Sequence, residues 1–126
     1  MNVNAKGTFL MCREVLRVWT RNSQAGAILN TGSVVTQHPQ REYFATVGYA
    51  ASKGAVEAMT LSAEAYYAPA GIRINVIAPG LVRTPMTARA QGDPRLLKYI
   101  AGKQPLTQGL LSPDDIAKTE IGRAHV

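Results

Sequence analysis

The sequence predicts an α/β protein built on a parallel sheet, and three observations lead to that class. Apolar segments follow one another in the order helix, strand, helix, strand, helix. The short runs Gly26–Asn30 and Ile72–Ile77 are bounded by turn formers and have the length of buried strands. An alanine-rich helix from Tyr49 to about Ala68 separates them, and such a connection joins neighbouring parallel strands by a right-handed crossover.

The first helix is predicted from Val3 to Arg21. Its apolar residues recur every three or four positions in two adjacent rows, Phe9, Cys12, Leu16 and Trp19 in one and Met11, Val15 and Val18 in the other. The arginines at positions 13, 17 and 21 lie on the remaining side, which is interpreted as a solvated face. Cys12 is expected to be a buried hydrophobe, and as the only cysteine it favours a reducing compartment, the cytoplasm.

Prolines, glycines and a capping serine predict where the remaining elements begin and end. Pro69 and Gly71 end the central helix. The segment Leu81–Leu111 is rich in proline and glycine and is interpreted as a long loop, either a lid or a binding loop, with a short helix near Arg95–Ala101. Ser112 is expected to cap a last helix that has two aspartates in its first turn.

Size, charge and composition narrow the class of protein. The 126 residues, 46% of them apolar, suit a globular domain of ordinary size. No run approaches the roughly 20 apolar residues of a membrane span, and no signal peptide is visible. The basic residues behind the +6 net charge are scattered, so no nucleic-acid partner is expected. His38 and His125 lack partners at ligand spacing, so no metal site is expected, and no Gly-x-Ser-x-Gly sequence supports a serine hydrolase.

The densest chemical signal is Tyr49-Ala-Ala-Ser-Lys53. A tyrosine and a lysine four positions apart share one helix face, and an ammonium beside a phenol favours the phenolate. Such a tyrosine can act as a general acid or base near neutral pH, although an ordinary surface pair is the alternative. Ser33 follows the first strand and Thr84 follows the second, and parallel sheets bind ligands beyond the carboxyl ends of their strands.

Five motifs, taken in order, resemble the core subgroup of the short-chain dehydrogenase/reductase family. They are Val3-Asn-Ala-Lys-Gly7, Asn30-Thr-Gly-Ser33, Tyr49-Ala-Ala-Ser-Lys53, Arg73-Ile-Asn-Val-Ile-Ala-Pro-Gly80 with Thr84-Pro-Met86, and Ser112-Pro-Asp-Asp-Ile-Ala117. The resemblance implies the C-terminal half of a Rossmann-type, doubly wound parallel sheet. It also implies an NAD(P)-dependent oxidoreductase that interconverts an alcohol and a ketone or aldehyde by hydride transfer, on a 3-oxoacyl thioester, a sugar or another secondary alcohol.

The resemblance also assigns roles to residues. Tyr49 is the implied acid/base, Lys53 the cation that assists it and holds the ribose of NAD or NADP, and Ser33 the group that polarises the substrate. Asn4 is implied in a proton relay to Lys53. Further contacts to the cofactor are implied for Pro79, Gly80, Val82 and Thr84. Simpler roles stay open at three of these positions: a helix N-cap at Asn4, and turn residues at Ser33 and Thr84.

Within the family, enoyl reductases separate the tyrosine and lysine more widely, so the three intervening residues here favour carbonyl–alcohol chemistry. The small residues of the central helix match a subunit interface in the family, which implies a homodimer or homotetramer. The rival hypothesis is a non-catalytic interaction protein that keeps this helix but lacks a cofactor.

Departures from the family concern the two ends. The glycine-rich turn that binds the pyrophosphate is absent, so residues 1–118 are interpreted as a partial domain whose cofactor-binding half is missing. Residues 119–126 are interpreted as a non-native tail, because Ile121–Val126 matches the translation of a common sequencing adapter. Such a fragment is expected to be inactive, and to fold poorly or associate when it is alone.

Overall fold

The computed structural model describes the backbone of residues 1–44 and 46–124, and side chains as far as residue 120. The chain forms two compact units, Met1–Ala78 and a second unit that begins at Pro79. The first unit contains α1 (Thr8–Arg21), β1 (Gly26–Thr31), α2 (Val47–Tyr67) and β2 (Ile72–Ile77). The second contains α3 (Ala88–Gln91), α4 (Pro94–Lys103) and α5 (Pro113–Ala124). His125, for which no metal role was expected, lies outside the described residues.

The two strands form the parallel pair that the sequence predicts. Gly26 lies opposite Ile72 and Thr31 opposite Ile77, in an unbroken register. The pairing continues one step further, because the N–H of Gly32 donates to the carbonyl of Ile77 at 2.7 Å. The carboxyl ends of both strands therefore lie side by side, where α/β sheets place their ligands.

The hydrophobic core of the first unit lies between β2 and α1. Ile72 and Ile74 are almost fully buried against Cys12 and Leu16. Partly buried side chains surround this centre: Trp19, Ile28, Met59, Ala63 and Tyr67. The buried position predicted for Cys12 is confirmed. Of the wide apolar face predicted for the first helix, Cys12, Leu16 and Trp19 pack in this core, whereas Phe9, Met11 and Val18 are exposed. The arginines of the helix are exposed as predicted, and two of them pair with Glu14.

A buried polar chain links the sheet to both helices. The side-chain amide of Asn30, in β1, donates to the hydroxyl of Thr60 in α2 at 2.9 Å. Thr60 donates in turn to the carbonyl of Val56 at 2.7 Å, and the thiol of Cys12 lies 3.5 Å from Asn30 Oδ1. Every one of these polar groups has a partner, which a buried polar group needs in order not to destabilise the fold.

Two helix ends follow from local residues. The predicted first helix begins as a π-helical turn, Asn2–Gly7, that leads into α1. At the other end of the unit, α2 tightens into a 3₁₀ turn at Ala68–Ala70, and Gly71 closes it at φ 72°. This left-handed conformation is easy for glycine only, so Gly71 ends the helix as predicted.

The second unit is more ordered than the predicted long loop. Besides α4, which extends the expected short helix, Leu81–Leu111 contains a 3₁₀ turn at Pro85–Thr87 and the short α3. Val82 and Leu111 form a parallel bridge at its base. Local composition did not predict this order because the side chain of Gln104, far along the segment, holds the backbone of Leu81.

The last helix begins as predicted. The backbone N–H of Asp115 donates to Ser112 Oγ at 3.2 Å, and the N–H of Ser112 donates to Asp115 Oδ2 at 2.9 Å. This reciprocal pair satisfies two N–H groups that the helix start leaves without partners. Among the described helices, none is both long enough and apolar enough to cross a membrane.

Candidate active site

The amino-terminal half of α2 carries the predicted tyrosine and lysine on one face. Tyr49 is 37% exposed, and Lys53 is half-buried one turn further along. The Nζ atom of Lys53 lies 5.9 Å from the centre of the Tyr49 ring. The four-residue spacing thus brings a phenol and an ammonium side by side, with the phenol accessible to a ligand.

Lys53 also ties α2 to the end of the first strand. Its Nζ donates to the backbone carbonyl of Thr31, the last residue of β1, at 2.8 Å. Burial lowers the pKa of Lys53 below its ordinary value, and the negative charge of Glu57 opposes that shift. The cation is therefore held at the carboxyl end of β1, next to Tyr49.

Ser33 lies just beyond the same strand end and is 8% exposed. It is the N-cap of the 3₁₀ turn Val34–Thr36, and its Oγ accepts from the N–H of Val35 at 3.5 Å, the outer limit of a hydrogen bond. The turn role that the sequence left open is therefore present. It occupies the hydroxyl only weakly, so the hydroxyl can also bind a ligand.

Sequence reasoning missed Glu57, whose carboxylate contacts the Ser33 turn. Its Oε1 accepts from the N–H of Ser33 at 3.3 Å and lies 2.8 Å from the hydroxyl of Thr36. The available signal was spacing, because Glu57 follows Lys53 by four positions on α2 and so shares its helix face.

Asn4 contacts the site indirectly, through Ser52. Its side-chain amide donates to Ser52 Oγ at 3.0 Å, and Ser52 donates to the carbonyl of Tyr49 at 2.8 Å. The alternative of an N-cap at Asn4 is wrong, since Met1 and Gly7 occupy the cap positions of the two helical segments there. The relay role implied for Asn4 stays a prediction.

The four other predicted cofactor contacts lie in the second unit. Gly80 approaches the side-chain amide of Gln104 so closely that a Cβ at this position would collide with it. Val82 pairs with Leu111, and Thr84 forms a capping box with Thr87 at the start of the 3₁₀ turn. The turn alternative at Thr84 therefore describes its local structure, and the cofactor contacts of these residues, Pro79 included, stay predictions.

The described residues contain no group of three or more His, Cys, Asp or Glu side chains placed to hold a metal ion. The side chains that the sequence predicted for the site are instead the phenol of Tyr49, the ammonium of Lys53 and the hydroxyl of Ser33. These groups suit proton transfer and hydrogen bonding to an oxygen of an organic ligand.

Comparisons with known proteins agree on one family. A family model described as "Enoyl-(Acyl carrier protein) reductase" matches residues 1–121. Glucose 1-dehydrogenase of Gluconobacter oxydans is 39% identical over 106 residues, which are 84% of this chain and 39% of that protein. The type-2 3-hydroxyacyl-CoA dehydrogenase of Rattus norvegicus is 36% identical over 122 residues, 93% of this chain and 45% of that protein. The chain thus spans less than half the length of these curated relatives.

Solved structures give the same result. 4-hydroxyisoleucine dehydrogenase complexed with NADH matches with a TM-score of 0.84 and 30% identity, over 94% of this chain and 47% of that one. A gluconate 5-dehydrogenase from Burkholderia cenocepacia, in complex with NADP and tartrate, matches with a TM-score of 0.72 and 31% identity, over 81% of this chain and 38% of that one. The Rossmann-type fold predicted from the sequence is confirmed, and the chain belongs to the short-chain dehydrogenase/reductase family.

Proposed function

We propose that this chain is the carboxyl-side part of an NAD(P)-dependent oxidoreductase that interconverts an alcohol and a ketone or aldehyde. The observation that carries the proposal is the Tyr49–Lys53 pair, with its ring-to-Nζ separation of 5.9 Å and its anchor on the carbonyl of Thr31. Dehydrogenase relatives that cover most of the chain support it.

The side chains present fit a nicotinamide nucleotide. Lys53 has three N–H donors, and within the described residues one of them is used, at Thr31. The other two suit the vicinal hydroxyls of a ribose. Solved relatives are complexed with NADH in one case and NADP in another, so either nucleotide is compatible with this site. When bound, the nicotinamide supplies the acceptor or donor of a hydride.

The residues of this chain supply the proton transfer. In the oxidation direction, the deprotonated Tyr49 oxygen takes the hydroxyl proton of the alcohol and the carbon loses a hydride. The substrate therefore loses one proton and one hydride, which together are two protons and two electrons. The Ser33 hydroxyl donates a hydrogen bond to the same substrate oxygen. Lys53 places its positive charge beside the Tyr49 ring. Asn4, through Ser52, holds the backbone of Tyr49 and starts the proposed relay.

The substrate is proposed as a secondary alcohol or its ketone. One relative is named for glucose and another for 3-hydroxyacyl-CoA, and both names describe alcohol oxidation. Reduction of a carbon–carbon double bond is the second candidate, because the matched family model is described as a reductase of enoyl thioesters. The spacing of Tyr49 and Lys53 favours carbonyl–alcohol chemistry over this candidate.

A Tyr49→Phe substitution in the full-length protein tests the proposal. We expect a loss of kcat of about 100-fold or more with secondary alcohols, since a positioned acid/base contributes on that scale. NAD(P)H binding, followed by fluorescence, should stay within about 2-fold. Tyr66→Phe is the matched control, because Tyr66 is an exposed tyrosine on the same helix. Unchanged turnover in Tyr49→Phe contradicts the assigned role.

A non-catalytic interaction protein is the alternative function, and it shares the assembly that we propose for the enzyme. Small side chains line an exposed part of α2, at Ala51, Ala55, Ala58 and Ala65. Such a surface lets a second helix approach closely, so we propose a homodimer or homotetramer. Light scattering of the full-length protein and its Ala58→Glu variant tests the assembly, and detectable alcohol turnover excludes the non-catalytic alternative.

The single cysteine, unable to form an internal disulfide, favours a cytoplasmic location.

A further inference from the structure

We propose that Glu57 is a positioning residue for the reaction: its carboxylate holds the Ser33 turn, so that the Ser33 hydroxyl faces the substrate oxygen. The inference deepens the proposed function and rests on it. Glu57 itself contacts neither substrate nor cofactor in this scheme.

The contacts form a clamp between α2 and the turn after β1. Glu57 Oε1 accepts from the N–H of Ser33 at 3.3 Å. The hydroxyl of Thr36 lies 2.8 Å from Oε1, 2.9 Å from Oε2 and 2.8 Å from the carbonyl of Ser33. A hydroxyl has one proton, and a carboxylate is the stronger acceptor, so the bond to Glu57 is favoured.

The backbone is shaped to admit this carboxylate. A Cβ at position 32 would lie 2.6 Å from Glu57 Oε1 and 3.1 Å from a methyl group of Val76. Gly32 therefore leaves the space that Glu57 occupies beside the strand end. Any larger residue at this position would displace the carboxylate from Ser33.

The Glu57 carboxylate stabilises the turn, a role that the side chain of the N-cap residue Ser33 would otherwise have. In many 3₁₀ and α turns the N-cap hydroxyl holds the turn by accepting from the backbone. Here the bond from Val35 to Ser33 Oγ is 3.5 Å long and weak. Because the carboxylate secures the turn from outside, the Ser33 hydroxyl is left to bind a substrate.

Glu57 also lies four positions beyond Lys53, and its charge raises the pKa of that lysine against the effect of burial. One carboxylate thus steadies both the serine and the cation of the site. The two effects are separable, because Thr36→Val loosens the clamp and leaves the charge in place.

The test uses the full-length protein with Glu57→Ala, Glu57→Gln and Thr36→Val, and with Glu64→Ala as the matched control, an exposed glutamate on the same helix. For Glu57→Ala we expect kcat to fall about 10-fold or more, with KM for the cofactor within about 2-fold. Glu57→Gln keeps a carbonyl acceptor and should recover most of kcat. The kcat of Thr36→Val should lie between those of Glu57→Ala and Glu57→Gln, and the kcat of Glu64→Ala should match that of the wild type.

Two further measurements separate a positioning role from a merely structural one. In a Ser33→Ala background, adding Glu57→Ala should lower kcat little further, because both changes remove the contact of the Ser33 hydroxyl with the substrate oxygen. Hydrogen exchange of the amides from Gly32 to Thr36 should be about 10-fold faster in Glu57→Ala and unchanged in Glu64→Ala.

Equal losses in both backgrounds, or unchanged amide exchange, would overturn the inference. Full turnover of Glu57→Ala while Ser33→Ala is inactive would overturn it and leave the proposed function intact. Full turnover of Tyr49→Phe and Ser33→Ala would instead refute the proposed function, and the positioning role with it.

Discussion

The ammonium of Lys53 donates a 2.8 Å hydrogen bond to the backbone carbonyl of Thr31. Thr31 is the last residue of β1 and Lys53 lies one turn after Tyr49 on α2, so a single bond joins the strand end to the helix that carries the phenol. The bond fixes the cation in a partly buried position. Its partial burial and its bond to Thr31 distinguish Lys53 from the other lysines of the chain, whose side chains are exposed to solvent.

The first prediction concerns the pH dependence of Lys53. Burial disfavours the charged form and lowers the pKa of Lys53 from the ordinary 10.5, while Glu57 raises it. Activity that needs the ammonium should therefore be lost on the alkaline side below pH 10.5, and Glu57→Gln should move that loss to still lower pH. The pH profile of kcat/KM and ¹³C NMR of the Lys53 Cε measure both effects.

Glu64→Gln is the control for this prediction, because it removes one carboxylate from α2 at an exposed position. Lys53 should change the stability with pH in the opposite direction to a lysine held in a salt bridge. The folded state disfavours charged Lys53, so this cost is present below the folded pKa and disappears as the pH rises towards the unfolded pKa. An alkaline limb at or above 10.5 would contradict the prediction.

Local signals predicted much of the fold and part of the site. Strand length, turn formers and a helix period gave β1, β2 and α2, because each depends on residues close together in the chain. The pairing of Tyr49 with Lys53 followed in the same way from helix geometry.

Contacts between distant residues could not be predicted from such signals. Asn4 bonds to Ser52, 48 positions away, and Glu57 bonds to Ser33, 24 positions away. Both depend on how elements pack, and neither residue type is unusual where it occurs. The order in the segment Leu81–Leu111 was missed for the same reason, since one glutamine side chain holds it.

The second prediction concerns the buried polar chain. Thr60→Val keeps the shape of the side chain but removes the acceptor of the Asn30 amide, a 2.9 Å bond in the interior. Leaving that donor without a partner should cost about 1–3 kcal/mol of unfolding free energy. Urea unfolding of the full-length protein measures the loss. Thr20→Val, at an exposed position of α1, should change stability little, and equal losses in the two variants would refute the explanation.

The third prediction concerns Gln104, which binds the backbone of the second unit as a neighbouring strand would. Its Oε1 accepts from the N–H of Leu81 at 2.6 Å, and its Nε2 donates to the carbonyls of Leu81 at 3.2 Å and Gly109 at 2.5 Å. Gln104→Ala removes all three bonds, each contributing about 0.5–1.5 kcal/mol. Limited proteolysis should then cut within residues 81–111 faster, whereas Lys98→Ala, at an exposed position on α4, should not change the rate.

The fourth prediction concerns the start of α5. The backbone N–H of Ser112 and, secondarily, its hydroxyl lower the pKa of Asp115 from the ordinary 3.8. Because the folded pKa is depressed, the stabilisation from Asp115 is present above pH 3.8 and is lost as the pH falls through the lower folded value. Asp115→Asn should therefore speed amide exchange in α5 near neutral pH and make little difference in strong acid. Asp114→Asn, without these bonds, should have the smaller effect, and an Asp115 pKa at or above 3.8 by ¹³C NMR would contradict the account.

The fifth prediction concerns the 126-residue chain in isolation. In the part that the structure describes, β1 pairs with β2 on one side only, and a groove beside it is lined by apolar side chains that include Val3, Met11 and Ile28. Met11 is 69% exposed and Val3 is 85% exposed. A parallel strand with an open edge and an uncovered face invites association, because parallel sheets depend on cover from both faces.

We therefore expect the isolated chain to associate and to unfold without a sharp transition, as measured by analytical ultracentrifugation and calorimetry. Met11→Lys places a charge in the groove and should reduce association, since charge at an exposed edge opposes pairing with another chain. Thr20→Lys adds the same charge at an exposed position of α1 that does not line the groove, and should reduce association less. A monomer with one cooperative unfolding transition would contradict the prediction, because β1 and the groove would then be stable without a further strand or chain packed against them.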